Sequence, residues 1–266
     1  MKPVARFAAA LALCLPLAAQ AHDLWLLPSS TVLSGQDDWI TVDAAVSNDK
    51  FYFNHAPLRL DGLAIVAPDG AAAQADNVGR GKLRNTFDLQ LRQSGTYRVA
   101  VVNDGAFARW KEDGKPKFYR GGADGLAAAI PAQAQELQVV QSLGRVETFV
   151  TAGKPSPVKP VGTGLELVPV THPNDLYAGE AAAFQLRLDG QPAAGLEVTV
   201  VPGGSRYRDK LDEIKTTTDK DGKFQVTWPQ PGMYWVEAST EDARTTVPRA
   251  TKRRLSYSGT LEVLAQ

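Results

Sequence analysis

The chain is poor in the residues that most often carry chemistry: 266 residues contain one cysteine, Cys14, and three histidines, His22, His55 and His172. Cys14 lies ahead of a cleavage signature, so the expected mature chain has no cysteine at all. Such a chain makes no disulfide and offers no thiolate, so a metal site must use nitrogen and oxygen donors. A surplus of one charge is missing too, with 29 Lys+Arg against 29 Asp+Glu. No basic face points to nucleic acid. Beyond residue 21 no run approaches the roughly 20 apolar residues that cross a bilayer. The mature chain is therefore not expected to insert in a membrane.

Sequence motifs of catalysis are equally scarce. There is no Gly-x-Ser-x-Gly elbow, no P-loop, no Gly-x-Gly-x-x-Gly turn and no His-Glu-x-x-His pair. Asp219-Lys220-Asp221-Gly222 resembles the start of a calcium loop but lacks the remaining ligands and the distal Glu. It reads as a β-hairpin turn. Taken together these absences favour a binding protein over an enzyme.

What is present begins with an export signal. Lys2 and Arg6 precede an apolar run from Phe7 to Leu17, followed by Ala19-Gln20-Ala21. Positive, apolar and A-x-A regions in this order predict a signal peptide over residues 1–21, and hence a periplasmic protein starting at His22. Without Lys2 and Arg6, 27 basic residues face 29 acidic ones, a formal net charge of −2.

Downstream, apolar and polar residues alternate with a period of two in residues 39–44, 86–91, 96–101, 183–188, 196–200 and 223–228. That period is the signature of half-buried strands. Asp-Gly pairs at 61–62, 113–114, 189–190 and 221–222 mark turns between them. Helical signals are confined to an Ala-rich stretch, residues 125–137, interrupted by Pro131, and to a single turn at 210–214. Ser94-Gly95-Thr96-Tyr97-Arg98-Val99 recurs as Pro231-Gly232-Met233-Tyr234-Trp235-Val236, each after a Phe-bearing strand. A Gly-x-Tyr-x-Val start to a late strand fits the tyrosine corner of Greek-key sandwiches. Residues 153–162 hold three prolines and two glycines, the composition of an extended linker. The expected architecture is all-β: two tandem antiparallel, immunoglobulin-like β-sandwich domains, residues 22–152 and 163–266, joined by linker 153–162.

His22 is the most informative of the histidines. Cleavage after Ala21 would place a free α-amine and an imidazole on one residue. With ordinary pKa values of roughly 7.7–8.0 and 6.5, both groups give up their protons to a metal at little cost. A second imidazole would complete a three-nitrogen site suited to Cu, Ni, Co or Zn, with Cu(II) favoured thermodynamically. His55, after the aromatic run Phe51-Tyr52-Phe53-Asn54, and His172, in Thr171-His172-Pro173-Asn174-Asp175, are the candidates for that ring. The bland reading sets an accidental cleavage-site histidine beside solvated loop histidines. The five tryptophans are expected to pack cores, and Trp110 opens a charged hairpin-like loop. The basic run Lys252-Arg253-Arg254 is expected to be a solvated turn.

Several segments together resemble the DUF4198 family. The opening His22-Asp23-Leu24-Trp25-Leu26-Leu27-Pro28 carries the likeness first. Gly164-Leu165-Glu166-Leu167-Val168-Pro169 and Leu176-Tyr177-Ala178-Gly179-Glu180 follow, then Thr218-Asp219-Lys220-Asp221-Gly222 and Pro231-Gly232-Met233-Tyr234-Trp235. The resemblance implies a secreted β protein, and some members are described as periplasmic components of cobalt or nickel uptake. It also implies that a histidine directly after the cleavage site is a family feature. Where relatives carry a Gly-His-Pro-like segment, this chain has Asn54-His55-Ala56-Pro57, without the glycine. The expected function is thus transition-metal binding (Cu, Ni or Co) in the periplasm, for handling or delivery to a membrane uptake system. A metal-free interaction or adhesion module and a copper redox enzyme of histidine-brace type are the alternatives.

Overall fold

The computed structural model describes residues 22–35 and 37–266. The expected signal peptide, residues 1–21, lies outside the described residues, and Cys14 with it. The first half forms β1 (Asp23–Pro28), β2 (Val32–Leu33), β3 (Asp38–Ser47), β4 (Ala56–Pro57), β5 (Leu63–Val66), β6 (Ala72–Ala73), β7 (Asp76–Arg80) and β8 (Asn85–Leu91). It ends with β9 (Gly95–Glu112), β10 (Lys115–Gly121), α1 (Ala123–Ala129) and β11 (Gln135–Ala152). The second half adds β12 (Leu165–Pro169), β13 (Ala181–Leu188), β14 (Gln191–Pro192), β15 (Glu197–Pro202) and β16 (Ile214–Thr217). It closes with β17 (Lys223–Thr227), β18 (Gly232–Asp242) and β19 (Lys252–Val263).

Alternation decides which face of each strand is inside. In β8 the residues Asn85, Phe87, Leu89 and Leu91 are buried while their neighbours are half-exposed. A one-residue slip would turn that apolar set outward, so the register is fixed by burial. Each fully buried Phe or Leu contributes about 1.5–3 kcal/mol relative to exposure.

Three sheets result among the described residues. One has the order β1-β3-β8-β7, with β4 on β3, and another has β12-β13-β14, with β17 on β13. Between them runs a long sheet ordered β16-β15-β18-β19-β11-β9-β5-β6. The first sheet closes a core with β9 and β11 that contains Ile40, Val42, Phe87, Val99, Val146 and Val150. The other closes a second core with β18 and β19 around Leu167, Phe184, Trp228, Tyr234, Val236 and Tyr257. The chain is thus two tandem β-sandwiches sharing one sheet. Among the described residues pairing is antiparallel apart from two ladders and a single parallel bridge between Tyr177 and Leu264. Short β2 runs parallel to β11, and β11 runs parallel to β19 from Val140 opposite Lys252 to Thr148 opposite Thr260.

The expected tyrosine corner occurs in both sandwiches. The Tyr97 hydroxyl accepts the Gln93 N–H at 2.8 Å, and the Tyr234 hydroxyl donates to the Gln230 carbonyl at 2.8 Å. The glycine two residues ahead has φ +137° at Gly95 and +138° at Gly232, conformations that a side chain would strain.

Residues 153–162 contain no helix or strand. They cross the back of β9, where the Lys159 carbonyl accepts Arg98 and the Ser156 hydroxyl accepts the Thr96 N–H. On that face Glu147 is wholly buried, 3.4 Å from Arg98 and 3.7 Å from Arg145. Burial pushes the Glu147 carboxyl up, against the pull of both guanidinium groups.

Two local expectations are corrected. The Ala-rich segment is helical only over Ala123–Ala129. Ile130 turns extended because the ring of Pro131 disfavours helix in the residue before it, and by Gln135 the chain is in β11. No helical turn forms at 210–214. The 3-10 turn lies earlier, at Ser205–Tyr207, where Arg208 holds the carbonyls of Pro202 and Gly203.

Candidate metal centre

The end of β3 organises the candidate site. β1 flanks it on one side, with Asp23 opposite Ser47. β4 flanks it on the other, with Ala56 opposite Val46. His22 immediately precedes β1 and His55 immediately precedes β4. Both side chains therefore start beside the same strand end, and their rings stack with centroids 3.6 Å apart and planes within 12°. His55 is exposed and His22 half-buried.

The loop that presents His55 is held by a chain of hydrogen bonds. Trp25 Nε1 donates to Ser47 Oγ at 2.8 Å, and that hydroxyl donates to the Asp49 carbonyl at 2.6 Å. Asn54 Nδ2 reaches Asp49 Oδ2 at 2.7 Å while Asn54 Oδ1 accepts the Asn48 N–H at 3.1 Å. Phe51 and Phe53 pack on buried Trp25 at 5.6 and 5.3 Å. Phe51 has φ +61°, which is unfavourable for a bulky side chain. Strain of this kind persists only where surrounding contacts over-determine it. Lys50 pairs with Asp23 and lies 4.6 Å over the Trp235 ring. Burial raises the Asp23 carboxyl despite Lys50 and His22, and burial also raises nearby Glu237, with Asp23 and Glu197 adding to it.

The donors fit a metal in number more than in present orientation. Among the described residues no three His, Cys, Asp or Glu side chains gather to hold an ion. Two imidazoles do gather, and a chain starting at His22 would add its α-amine to make three nitrogens. Stacked rings aim their lone pairs in parallel, so sharing one ion requires the rings to turn about their side-chain bonds. The exposure of His55 leaves room for that rotation.

His172 is placed elsewhere. Its Nε2 lies 3.0 Å from Thr96 Oγ1 and 3.2 Å from the Ser156 carbonyl, and its Nδ1 accepts the Asn174 N–H at 3.2 Å. Both ring nitrogens are committed, to groups in β9, the connecting segment and its own loop. Thr151 extends the network, bonding Thr96 and Asn174 at 2.9 Å each. Burial pulls the His172 pKa down. It acts as a half-buried hydrogen-bonding hub, not as a partner for His22.

The remaining candidates resolve into structure. Trp25, Trp110, Trp228 and Trp235 are buried, whereas Trp39 is half-exposed. The run at 252–254 is no turn; it opens β19. Arg253 is buried between Asp189 and Asp242, and Lys252 and Arg254 both pair with Glu241. At 219–222, Asp219 Oδ1 accepts the N–H groups of Asp221 and Lys223, closing a hairpin turn. Ser47 and Asp49, and the positioning role of Asn54, are not marked by any motif in the sequence. Their only signal there was a cluster of turn-forming side chains ahead of His55.

Fold and site together define a tandem immunoglobulin-like β-sandwich protein with a histidine pair at the head of its first strand. The chain belongs to the DUF4198 family, described as a domain of unknown function, whose profile matches residues 19–242. No curated protein matches it. Among solved structures it is similar to the D0-D1 domain of Intimin, at 14% identity over 90% of this chain and 97% of that one, with a TM-score of 0.24. The D00-D0 domain of Intimin matches at 14% identity over 91% of this chain and 100% of that one, with a TM-score of 0.22.

Proposed function

We propose that the protein binds a transition-metal ion in the periplasm through His22 and His55, for handling or delivery to a membrane uptake system. The observation that supports this is the stacking of the two rings at 3.6 Å, from residues 33 positions apart in sequence. The α-amine of a chain processed after Ala21 supplies the third nitrogen. Cu(II) is the ion such a set holds most tightly, with Ni(II) and Co(II) weaker. Because the ligands must be unprotonated, binding weakens as pH falls.

Calorimetric titration of Cu(II) and Ni(II) tests the reading on three proteins: one beginning at His22, one with a single extra residue ahead of it, and His55→Ala. One-to-one binding to the first, weakened at least roughly tenfold in the other two, is expected. Equal binding by all three, or none by the first, would overturn it.

A further inference from the structure

We propose that the outward face of the arm formed by β9, β10 and the start of β11 docks on an anionic lipid surface. Past the first sheet, β9 and β11 continue as a projecting ribbon to which β10 adds a third strand. One face is closed by α1 over Ala106, Ala108, Trp110 and Val139. The other face is open. Its composition follows from register, because directly opposed residues share a face. Arg109 lies opposite Phe118, Phe107 opposite Arg120, and Lys111 opposite Pro116. On the other side of β9, Val140 lies opposite Phe107. The result is a flat checkerboard of aromatic and basic side chains.

Within the chain that face makes only two polar side-chain contacts among the described residues, Lys111 with Glu136 and Arg109 with the Gln138 amide oxygen at 3.3 Å. Phe118 is 76% exposed and Phe107 39%. On this face Arg109 and Arg120 have no carboxylate partner among the described residues, while Lys115 and Lys117, opposite Glu112 and Trp110, lie on the side that α1 covers. Lysine and proline on an edge strand also serve to prevent unwanted strand pairing. That accounts for Lys115, Pro116 and Lys117. It does not account for an exposed phenyl ring, or for Phe107 and Arg109 on the inner strand β9.

Area selects the occupant. Three strands spaced about 4.8 Å apart and seven residues rising about 3.4 Å each cover only a few hundred Å². A specific globular partner needs roughly 800 Å² on each side. A lipid surface has no such threshold: aromatic rings settle at the headgroup level and guanidinium groups meet phosphates. Glu112 and Asp113 occupy the hairpin tip, so contact is made by the face and not by tip insertion.

Co-sedimentation with vesicles of phosphatidylcholine and phosphatidylglycerol in equal parts tests this. The full-length mature protein should bind them, release at high salt, and ignore vesicles of phosphatidylcholine alone. Arg109→Glu combined with Arg120→Glu should lower partitioning at least tenfold, at roughly fivefold per basic residue. Phe118→Ser should lower it separately, with the far-UV spectrum unchanged in both variants. Failure to bind the anionic vesicles, or binding that both variants retain, would overturn the proposal. Binding of polyglutamate without binding of vesicles would overturn it in favour of an acidic protein partner.

Discussion

His172 illustrates how a residue type that suggests ligand chemistry can be consumed by structure. Its Nδ1 accepts a backbone N–H and its Nε2 faces a carbonyl and a hydroxyl, so the neutral ring fits and the protonated ring does not. Burial pulls its pKa down, with the Ser156 hydrogen bond and Asp175 opposing more weakly. The unfolded chain, with an ordinary value of about 6.5, therefore binds the proton more readily than the folded one. Stability from this group is complete above about pH 6.5 and is lost as pH falls through the depressed folded value. Melting curves from about pH 8 to about pH 5 should show a decline that is shallower in His172→Gln, once the variant's lower plateau is subtracted. An identical slope in the two proteins would remove His172 from this role. The sequence showed only a loop histidine; its partners Thr96 and Ser156 lie 76 and 16 positions away, with no local mark of the contact.

At the scale of elements, the segments in which polar and apolar residues alternate were legible as strands, the start of β9 at 96–101 among them, while the long β11 was not. β8, β17 and the first six residues of β3 alternate because one face meets a core and the other is more exposed, while later residues of β3, β13 and β15 are buried on both faces. Where β9 and β11 are covered on both faces, Arg98, Arg145 and Glu147 are buried beside apolar neighbours, so their polarity gave no sign of burial. The loop holding His55 was legible as a loop, while its rigidity depends on which side chains close it. Asn54 uses both ends of its amide to tie Asn48 to Asp49, and it precedes His55 directly. Asn54→Ala should let the ring swing away from His22. The expected result is a drop in Cu(II) affinity of about tenfold or more, comparable with loss of other supporting hydrogen bonds around metal ligands. The melting temperature should move little, because Asn54 is exposed. An unchanged affinity, beside a His55→Ala variant that does lose metal, would show that the loop positions nothing.

For the whole molecule, the decisive contact is the parallel ladder between β11 and β19. A parallel pair demands a long crossover, and here the crossover is the entire second sandwich. Thr148 meets Thr260 and donates to its carbonyl at 3.0 Å, 112 positions away. No periodicity in either segment announces such a pairing, whereas the proline-rich run at 153–162 suggested separable units. Two cores that share a sheet should respond to stress together, since opening the seam exposes backbone groups on both sides of it. The Thr31 hydroxyl adds a bond to Glu262, and Trp235 Nε1 donates to the Leu24 carbonyl at 3.0 Å, tying β1 to the second sandwich as well. The covalent connection therefore contributes little to holding the halves together. A protease site inserted at the exposed residues 153–155 and then cut should leave two fragments that co-elute on gel filtration. They should unfold in one calorimetric transition near that of the intact chain. Separation of the fragments, or two resolved transitions before cutting, would mean that the seam is weaker than either core. The linker would then be the feature that sets the arrangement of the two sandwiches.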